Sequence, residues 1–292
     1  EEACEAAAGP RLAAPFLQAR EPAGDWRPLL LLNAVHQETG RRVIMSHAEI
    51  DRDPFLDSFD LHALSGVDLR LSTAAHNSAR FSFVSPAGRL ATHADDDDRG
   101  WIIDGGYFDN FGALTALELT RAALAAIADH TGRQDAVLPM IVQISSDPAL
   151  GSEILDAQGV PLERRDLARL SEPLACGGSA QALPYVPERD GQAEFLSGNQ
   201  VLSPLRGILG SRVAHGIVAS KSLARFACAR QDAELPVAHA HFAMCKPGAV
   251  PLGWVLSPGA EGRIEAYWQQ CDNPAALAAL QEAVEEVGAS ID

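Results

Sequence analysis

The sequence predicts an α/β fold in which a central, mostly parallel sheet is flanked by helices. Short apolar runs of strand length recur along the chain, and between them apolar residues return at the spacing of an amphipathic helix. Turns that contain glycine separate the two kinds of segment. Strands that alternate with helices are typical of layered folds with a largely buried sheet.

The predicted elements begin near residue 28. Two buried strands come first, and the turn signal Glu38-Thr39-Gly40 lies between them. Later helices are identified by apolar residues at helical spacing, and later strands by continuous or alternating apolar runs. Strands are predicted at residues 28–34, 42–46, 101–104, 137–144 and 237–244, and helices at 60–67 (helix or loop), 74–80, 112–129, 204–230, from about 259 and from about 274.

The domain organisation is expected to be one large domain, or one large domain with an appendage. Residues 1–27, rich in Ala, Pro and Gly, are interpreted as an arm or as the remnant of an upstream part. Residues 28–150 are expected to form the core. Residues 151–200 combine Gly, Pro and Ser without a sustained period, which indicates an excursion or lid. Residues 201–292 are expected to pack on the same domain.

Charge and composition exclude several functions. The formal net charge of -16 repels phosphate backbones and anionic bilayers, so nucleic acid is excluded as a partner and any peripheral membrane contact is expected through apolar surface. No apolar run reaches the roughly 18 to 20 residues that cross a bilayer, so the chain is expected to be soluble or peripheral. The five cysteines form no CxxC pair and no phosphate-binding glycine motif occurs, so no metal or other cofactor is expected.

The sharpest chemical signal is the run Asp104-Gly105-Gly106-Tyr107-Phe108-Asp109-Asn110, which follows an apolar strand and precedes a helix. An aspartate at the carboxyl end of a buried strand lies at the rim of the sheet, where open α/β sheets bind ligands. The two glycines remove side chains from the turn, so backbone or ligand can come close. An isolated Asp-Gly-Gly is more often a capped turn, and the assignment of a general base therefore needs support from the rest of the chain.

That support is a resemblance to the patatin-like phospholipases, a family of lipid acyl hydrolases. Four segments occur in that family's order and spacing, and together they cover residues 30–106. They are Leu30-Leu31-Leu32-Asn33 with Thr39-Gly40 after it, the run from Leu71 to Arg80, the turn Ser85-Pro86-Ala87-Gly88, and Asp104-Gly105-Gly106. The resemblance fades after Pro148, so about half of the chain rests on its own periodicity.

The resemblance implies hydrolysis of a lipid or other ester by a Ser-Asp dyad, in which Asp104 accepts the proton of the attacking serine. Of the residues in this chain, the resemblance assigns a catalytic role to Asp104 alone. Gly105 and Gly106 are expected to shape the turn, and Asn110 to orient the loop. The segment around Ser72, His76 and Ser78 is expected to form a wall of the pocket.

The nucleophile of that family is missing from this chain. It lies in a Gly-x-Ser-x-Gly elbow upstream of these segments, after a glycine-rich oxyanion loop, and nowhere here do two glycines stand four residues apart. About 28 residues precede the first matching strand, too few for a strand, elbow and helix, and the chain does not begin with Met. The fold is therefore expected to be incomplete at its N-terminal side, and the chain alone is not expected to hydrolyse esters.

A substitute nucleophile is a weaker interpretation. Ser72 and Ser78 flank His76, and a Ser/His/Asp set with Asp104 can be drawn, but Ser72 lacks the glycine-flanked turn that exposes a nucleophile. His76 is interpreted instead as a polar residue of the pocket wall or as a buried histidine with hydrogen-bond partners.

Metal binding is weaker still. The aspartates at 95–98 lie in a predicted loop over 93–99 without the ligand spacing of an EF-hand, so a solvated acidic loop is favoured. His239, His241 and Cys245 alternate toward one face of a strand, but the sequence places no fourth ligand.

Three functions stay open. The favoured one is a patatin-like acyl hydrolase whose serine comes from sequence outside this chain. The alternative is a non-catalytic fragment or pseudoenzyme that binds lipid or protein in the remnant pocket. An aspartate nucleophile, as in some phosphatases, is disfavoured because the second acidic residue and downstream lysine of that chemistry are not suitably spaced.

Overall fold

The computed structural model describes residues 13–17, 28–51, 53–81, 84–91, 98–130, 137–145, 196–230, 236–243, 257–270 and 273–291. The chain divides into two compact units. The first comprises residues 1–121 and 205–219, and the second comprises residues 122–204 and 220–292. The boundaries between the two units fall inside two segments that were predicted from the sequence as continuous, residues 28–150 and residues 201–292.

The first unit contains a five-stranded sheet in the order β3-β2-β1-β5-β4. Strand β1 pairs antiparallel with β2 and β5, β4 pairs antiparallel with β5, and β2 pairs parallel with β3. The strands are β1 (Leu31–His36), β2 (Arg42–Ser46), β3 (Ser58–Asp60), β4 (Gly88–Ala91) and β5 (Asp98–Asp104). The α/β class is confirmed, and the strands predicted near 28–34, 42–46 and 101–104 are present.

The prediction of a mostly parallel arrangement is wrong for this sheet. Parallel neighbours need a crossover of about a dozen residues or more, and the connection over residues 37–41 is much shorter. It closes by a hydrogen bond of 2.8 Å from the Gly40 N–H to the His36 carbonyl, with Gly40 at a φ of 67°. A turn this tight reverses the chain and makes β1 and β2 antiparallel.

Helices cover both faces of the first sheet. On one face, α1 (Leu61–Ser65) and α2 (Leu71–Ser78) contribute Leu61 and Ala74 to a core with Val43, Met45 and Ile102. On the other face, Leu119 of α3 (Ala113–His130) packs with Ile44, Ile50 and Phe55. Strand β2 is therefore buried along its whole length. The helices predicted at 60–67, 74–80 and 112–129 are confirmed.

Part of the predicted arm belongs to the core. Pro15 forms an antiparallel bridge with Arg70, and Phe16 is 6% exposed within the apolar cluster of the first sheet. The N–H of Phe16 donates to the Leu69 carbonyl at 2.6 Å. Residues 13–17 are thus held in place, whereas the other residues of 1–27 lie outside the described residues.

The second unit contains a two-stranded parallel sheet of β6 (Met140–Ser145) and β7 (Ala238–Ala243). Its helices include α5 (Pro258–Gln270) and α6 (Asn273–Ile291), and Trp268 of α5 stacks on Phe242 of β7. The strands predicted at 137–144 and 237–244 and the two terminal helices are confirmed. Helix α4 (Leu196–Cys228) contributes to both units and begins earlier than predicted.

Two segments predicted from the sequence, an excursion and an acidic loop, lie largely outside the described residues. Of the excursion over 151–200, only residues 196–200 are described, and they belong to α4. Of the acidic loop over 93–99, residues 98 and 99 are the first residues of β5, and the rest lies outside the described residues. Among the described helices, none is both long enough and apolar enough to span a bilayer.

A buried ion pair joins the first sheet to α3. Arg42 of β2 is fully buried, and its guanidinium bonds to the carboxylate of Glu118 and, at 2.8 Å, to the hydroxyl of Thr115. The guanidinium carbon also lies 5.5 Å from the ring centroid of Phe108. Burial raises the pKa of the Glu118 carboxyl, and Arg42 opposes that shift. A carboxylate in this position stays charged only with its partner.

We expect Glu118→Gln to lower the free energy of unfolding of the first unit by about 3–5 kcal/mol, because it leaves the Arg42 charge buried and unpaired. The matched control is Asp57→Asn, which removes the exposed ion pair to Arg41 (2.6 Å) and should cost at most about 1 kcal/mol. Amide hydrogen exchange of β2 measures both values. Equal effects of the two substitutions would contradict a special role for the buried pair.

Candidate active site

Asp104 is the last residue of β5, and the neighbouring strand β1 fixes its backbone position. Its register partner is Ala34, and the residue as a whole is 6% exposed. The Oδ1 atom accepts a hydrogen bond of 2.7 Å from the Gly106 N–H and so caps the short 3-10 helix Gly105–Tyr107. The carboxylate is therefore turned back toward its own turn and away from bulk water.

The two glycines are required for different steric reasons. A Cβ on Gly105 would meet the Asn33 backbone of β1, with its carbonyl carbon only 2.6 Å away. A Cβ on Gly106 would lie 2.6 Å from the Asn110 Oδ1 and 2.8 Å from the Asp104 Oδ1, and would also clash with Arg212. Gly105 thus permits close packing of the turn on β1, and Gly106 leaves room for the side chains around the carboxylate.

Arg212 of α4 is the partner of Asp104 that the sequence did not reveal. Its Nη2 lies 3.2 Å from the Asp104 Oδ1 and 3.2 Å from the Asn110 Oδ1. The guanidinium carbon is 5.4 Å from the ring centroid of Tyr107 and 5.9 Å from that of Phe81. Arg212 therefore ties the expected base and the expected loop-orienting residue together. Since 108 residues separate it from Asp104, only the tertiary fold brings the two together.

The hydrogen bonds to Asp104 leave one oxygen available. Gly106 and Arg212 both donate to Oδ1, and no residue within the described parts of the chain donates to Oδ2. A carboxylate held by one oxygen has a fixed orientation and a free lone pair on the other. That is the arrangement a general base needs.

A second layer of polar residues holds the loop after the turn. The Asp109 Oδ2 accepts from the Thr115 N–H at 3.0 Å and from its hydroxyl at 3.2 Å, which satisfies a donor in the first turn of α3. The same hydroxyl lies 3.0 Å from the Asn33 Oδ1 and accepts from Arg42. The loop is thus connected to β1, β2 and α3 through buried hydrogen bonds.

The three residues that were expected to form a pocket wall lie on α2, but they differ in burial and in their hydrogen bonds. Ser78 donates to the Asn33 carbonyl at 2.6 Å, the same backbone group against which Gly105 packs. Ser72 is half-buried in the first turn of the helix, whereas His76 is exposed. The interpretation of His76 as a buried histidine is therefore wrong. Within the described residues, none of the three is hydrogen-bonded to Asp104.

The two histidines considered as metal ligands lie on β7 in the second unit. The His241 Nε2 is 2.9 Å from the Ser145 hydroxyl, and the His239 Nε2 is 3.2 Å from the Gln143 Oε1. Cys245 lies outside the described residues. Burial, reinforced by His241, lowers the pKa of His239 to about 4, and burial also lowers the pKa of His241.

We expect Gly105→Ala to destabilise the first unit by at least about 2 kcal/mol, since a methyl group there must displace β1 or the turn. Gly207→Ala is the matched control in the same unit, because Gly207 is helical and no atom lies within 4 Å of its added Cβ. The control should be neutral or stabilising by up to about 1 kcal/mol. Denaturant unfolding measures the stability of both variants. An unchanged free energy of unfolding for Gly105→Ala would contradict the close contact with β1.

We expect the ring of His239 to titrate in the folded protein with a midpoint of about 4. The unfolded chain takes up this proton at its ordinary pKa of 6.5, so the second unit should lose stability as the pH falls from 6.5 toward 4. NMR of the imidazole ring, assigned with His239→Gln, measures the midpoint. A midpoint near 6.5 would show that the ring is not buried as described.

Comparisons of the chain with protein-family models, with curated proteins and with solved structures give no match. A functional proposal for this chain therefore depends on the geometry around Asp104 and on the order of its motifs.

Proposed function

We propose that this chain is the later part of a patatin-like serine lipid acyl hydrolase, to which it contributes the aspartate of a Ser-Asp dyad. The observation that carries the proposal is the geometry of Asp104. The side chain is buried at the carboxyl end of β5, its Oδ1 is held by Gly106 and Arg212, and its Oδ2 has no donor within the described residues. The serine is assigned to sequence outside this chain.

In the proposed mechanism, the Asp104 Oδ2 takes the hydroxyl proton as the serine oxygen attacks the carbonyl carbon of an ester. The alcohol then leaves with that proton, and an acyl-serine forms. Asp104 next takes a proton from water as the water attacks the acyl-serine, and it passes that proton to the departing serine oxygen, which releases the fatty acid and restores the serine hydroxyl. Gly106 and Arg212 keep the carboxylate from rotating during both steps, so each transfer begins from an aligned oxygen.

The lipid class of substrate rests on the motif resemblance together with the charge of the chain. A net charge of -16 disfavours binding to anionic surfaces, so contact with a lipid aggregate is assigned to apolar side chains. Phe81, which is 48% exposed, lies beside Arg212 in the same unit, and the N–H of Val84, which is 77% exposed, donates to the Phe81 carbonyl at 3.1 Å. These two residues are suited to contact an acyl chain.

A second candidate function is a non-catalytic module that binds lipid or protein. The ion pair between Asp104 and Arg212 favours it, because a carboxylate that caps a turn and pairs with an arginine has a sufficient structural role without any proton transfer. In that case Asp104 is a stabilising residue, and its substitution affects folding but no reaction.

The discriminating experiment uses the complete gene product with its upstream Gly-x-Ser-x-Gly segment. We expect it to release fatty acid from ester lipids and to be labelled by a fluorophosphonate on the elbow serine. Asp104→Asn should lower turnover by about 10²- to 10⁴-fold, the usual contribution of a general base, while the protein stays folded. Unchanged turnover would disprove the role of Asp104.

The matched control is Asp60→Asn. Asp60 is also the last residue of a strand and caps a helix, since its Oδ1 accepts the N–H groups of His62 at 2.7 Å and Ala63 at 3.2 Å. If capping were the whole role of Asp104, the two substitutions would change only stability. A complete gene product without any elbow serine, and without esterase activity, would favour the binding module.

A further inference from the structure

The second unit holds a row of polar side chains on one face of its sheet, in which Gln143, Ser145 and Ser220 are buried and the two histidines are half-buried. Ser220 accepts a hydrogen bond of 2.7 Å from the Gln143 Nε2, and the Gln143 Oε1 lies 3.2 Å from the His239 Nε2. The His239 ring stacks on that of His241 with centroids 6.4 Å apart, and His241 bonds to Ser145. The row of contacts thus runs from Ser220 to the hydroxyl of Ser145.

Stability alone does not account for this row. The buried face of β6 carries Ile141 together with the polar Gln143 and Ser145, whereas the apolar Val142 and Ile144 on the other face are 49% and 77% exposed. A strand that minimised its free energy in water would bury the apolar side chains and expose the polar ones. Buried polar side chains beside exposed apolar ones are typical of residues that serve a chemical function rather than stability.

The terminal pair of the row has the geometry of a nucleophile and its base. The Ser145 Oγ lies 2.9 Å from the His241 Nε2, within the range for a serine activated by a histidine. Ser145 is the last residue of β6 and is only 6% exposed. In parallel sheets, the carboxyl ends of strands are where reactive side chains are placed.

The rest of the row holds His241 in position. Its ring is nearly parallel to that of His239, with 17° between the planes, and the Gln143 side chain anchors His239 in turn. Both imidazoles are uncharged at neutral pH, because burial lowers their pKa. An uncharged His241 with Nε2 unprotonated accepts the serine proton.

We propose that Ser145 is an activated nucleophile, with His241 as its base, and that it accepts an acyl group from an activated carboxylic ester. The Ser145 Oγ bonds to the carbonyl carbon while its proton passes to the His241 Nε2. The carbon–oxygen bond to the leaving alcohol then breaks, and that alcohol departs with the proton from His241. The products are acyl-Ser145 and the free alcohol, with His241 again neutral.

This site is independent of the proposed Ser-Asp dyad. It uses residues of the second unit alone, all of them lie in this chain, and it takes one acyl group without requiring turnover by Asp104. Labelling of Ser145 tests the new site only, whereas labelling of an elbow serine tests the dyad, so the two proposals fail separately.

The experiment treats the chain with a fluorophosphonate that carries a short alkyl group, and maps the labelled serine by peptide mass spectrometry. The probe follows the same chemistry, because fluoride leaves as the serine oxygen bonds to phosphorus and the base takes the proton. We expect one label per chain, on Ser145, and none after Ser145→Ala. His241→Gln should slow labelling by about 100-fold or more.

Ser65 provides the matched control. It is also 6% exposed, but its hydroxyl donates to the Leu61 carbonyl at 2.9 Å and contacts no histidine in the described hydrogen bonds. Ser65→Ala should leave the labelling rate unchanged. Amide hydrogen exchange of β7, whose Phe242 stacks on Trp268, reports whether each variant keeps the second unit folded.

Three results would overturn the proposal. They are the absence of label on Ser145, labelling of Ser145 less than 100-fold faster than that of Ser65, and an unchanged rate in a folded His241→Gln protein. If the His241→Gln protein does not fold, the labelling rate of Ser145 relative to that of Ser65 in the unsubstituted chain decides whether the proposal holds. Reaction of Ser145 at least 100-fold faster than Ser65 supports the proposal, and a smaller ratio refutes it.

Discussion

The close contact of Gly105 with the Asn33 backbone is the constraint on which the candidate active site depends. It lets the chain turn directly at the end of β5 while it remains pressed against β1. A turn that stood farther from the sheet would carry the Asp104 carboxylate toward solvent. Ser78 donates to the Asn33 carbonyl at the same point, so β1, α2 and the turn meet on one backbone group.

Electrostatic interactions stabilise this turn at two levels. Directly at the site, Arg212 and the Gly106 N–H hold the Asp104 Oδ1. Farther back, Arg42 and Thr115 connect β2 and α3 to Asp109 in the same loop. Because the second group is almost fully buried, any loss of a partner there leaves a costly unpaired charge or hydrogen-bonding group. The site therefore has a rigid support whether Asp104 serves in catalysis or in structure.

The sequence predicted the local elements well and the long-range arrangement poorly. Continuous apolar runs identified β1 and β2, and the Asp-Gly-Gly turn was recognised because glycines after a strand have a specific steric use. Sheet direction was missed, since the short 37–41 connection outweighs the general preference of alternating elements for parallel pairing. Arg212 had no sequence signal, because an arginine in an amphipathic helix is usually solvated. The inverted burial of β6 was also missed, as periodicity alone does not say which face is covered.

The central claim concerns the free oxygen of Asp104, and a crystal structure of the complete gene product tests it most directly. We predict that the Asp104 Oδ2 lies about 2.6–3.2 Å from the oxygen of the elbow serine, with Gly106 still bonded to Oδ1. A serine oxygen beyond hydrogen-bonding reach, with the guanidinium of Arg212 between it and the carboxylate, would contradict the account.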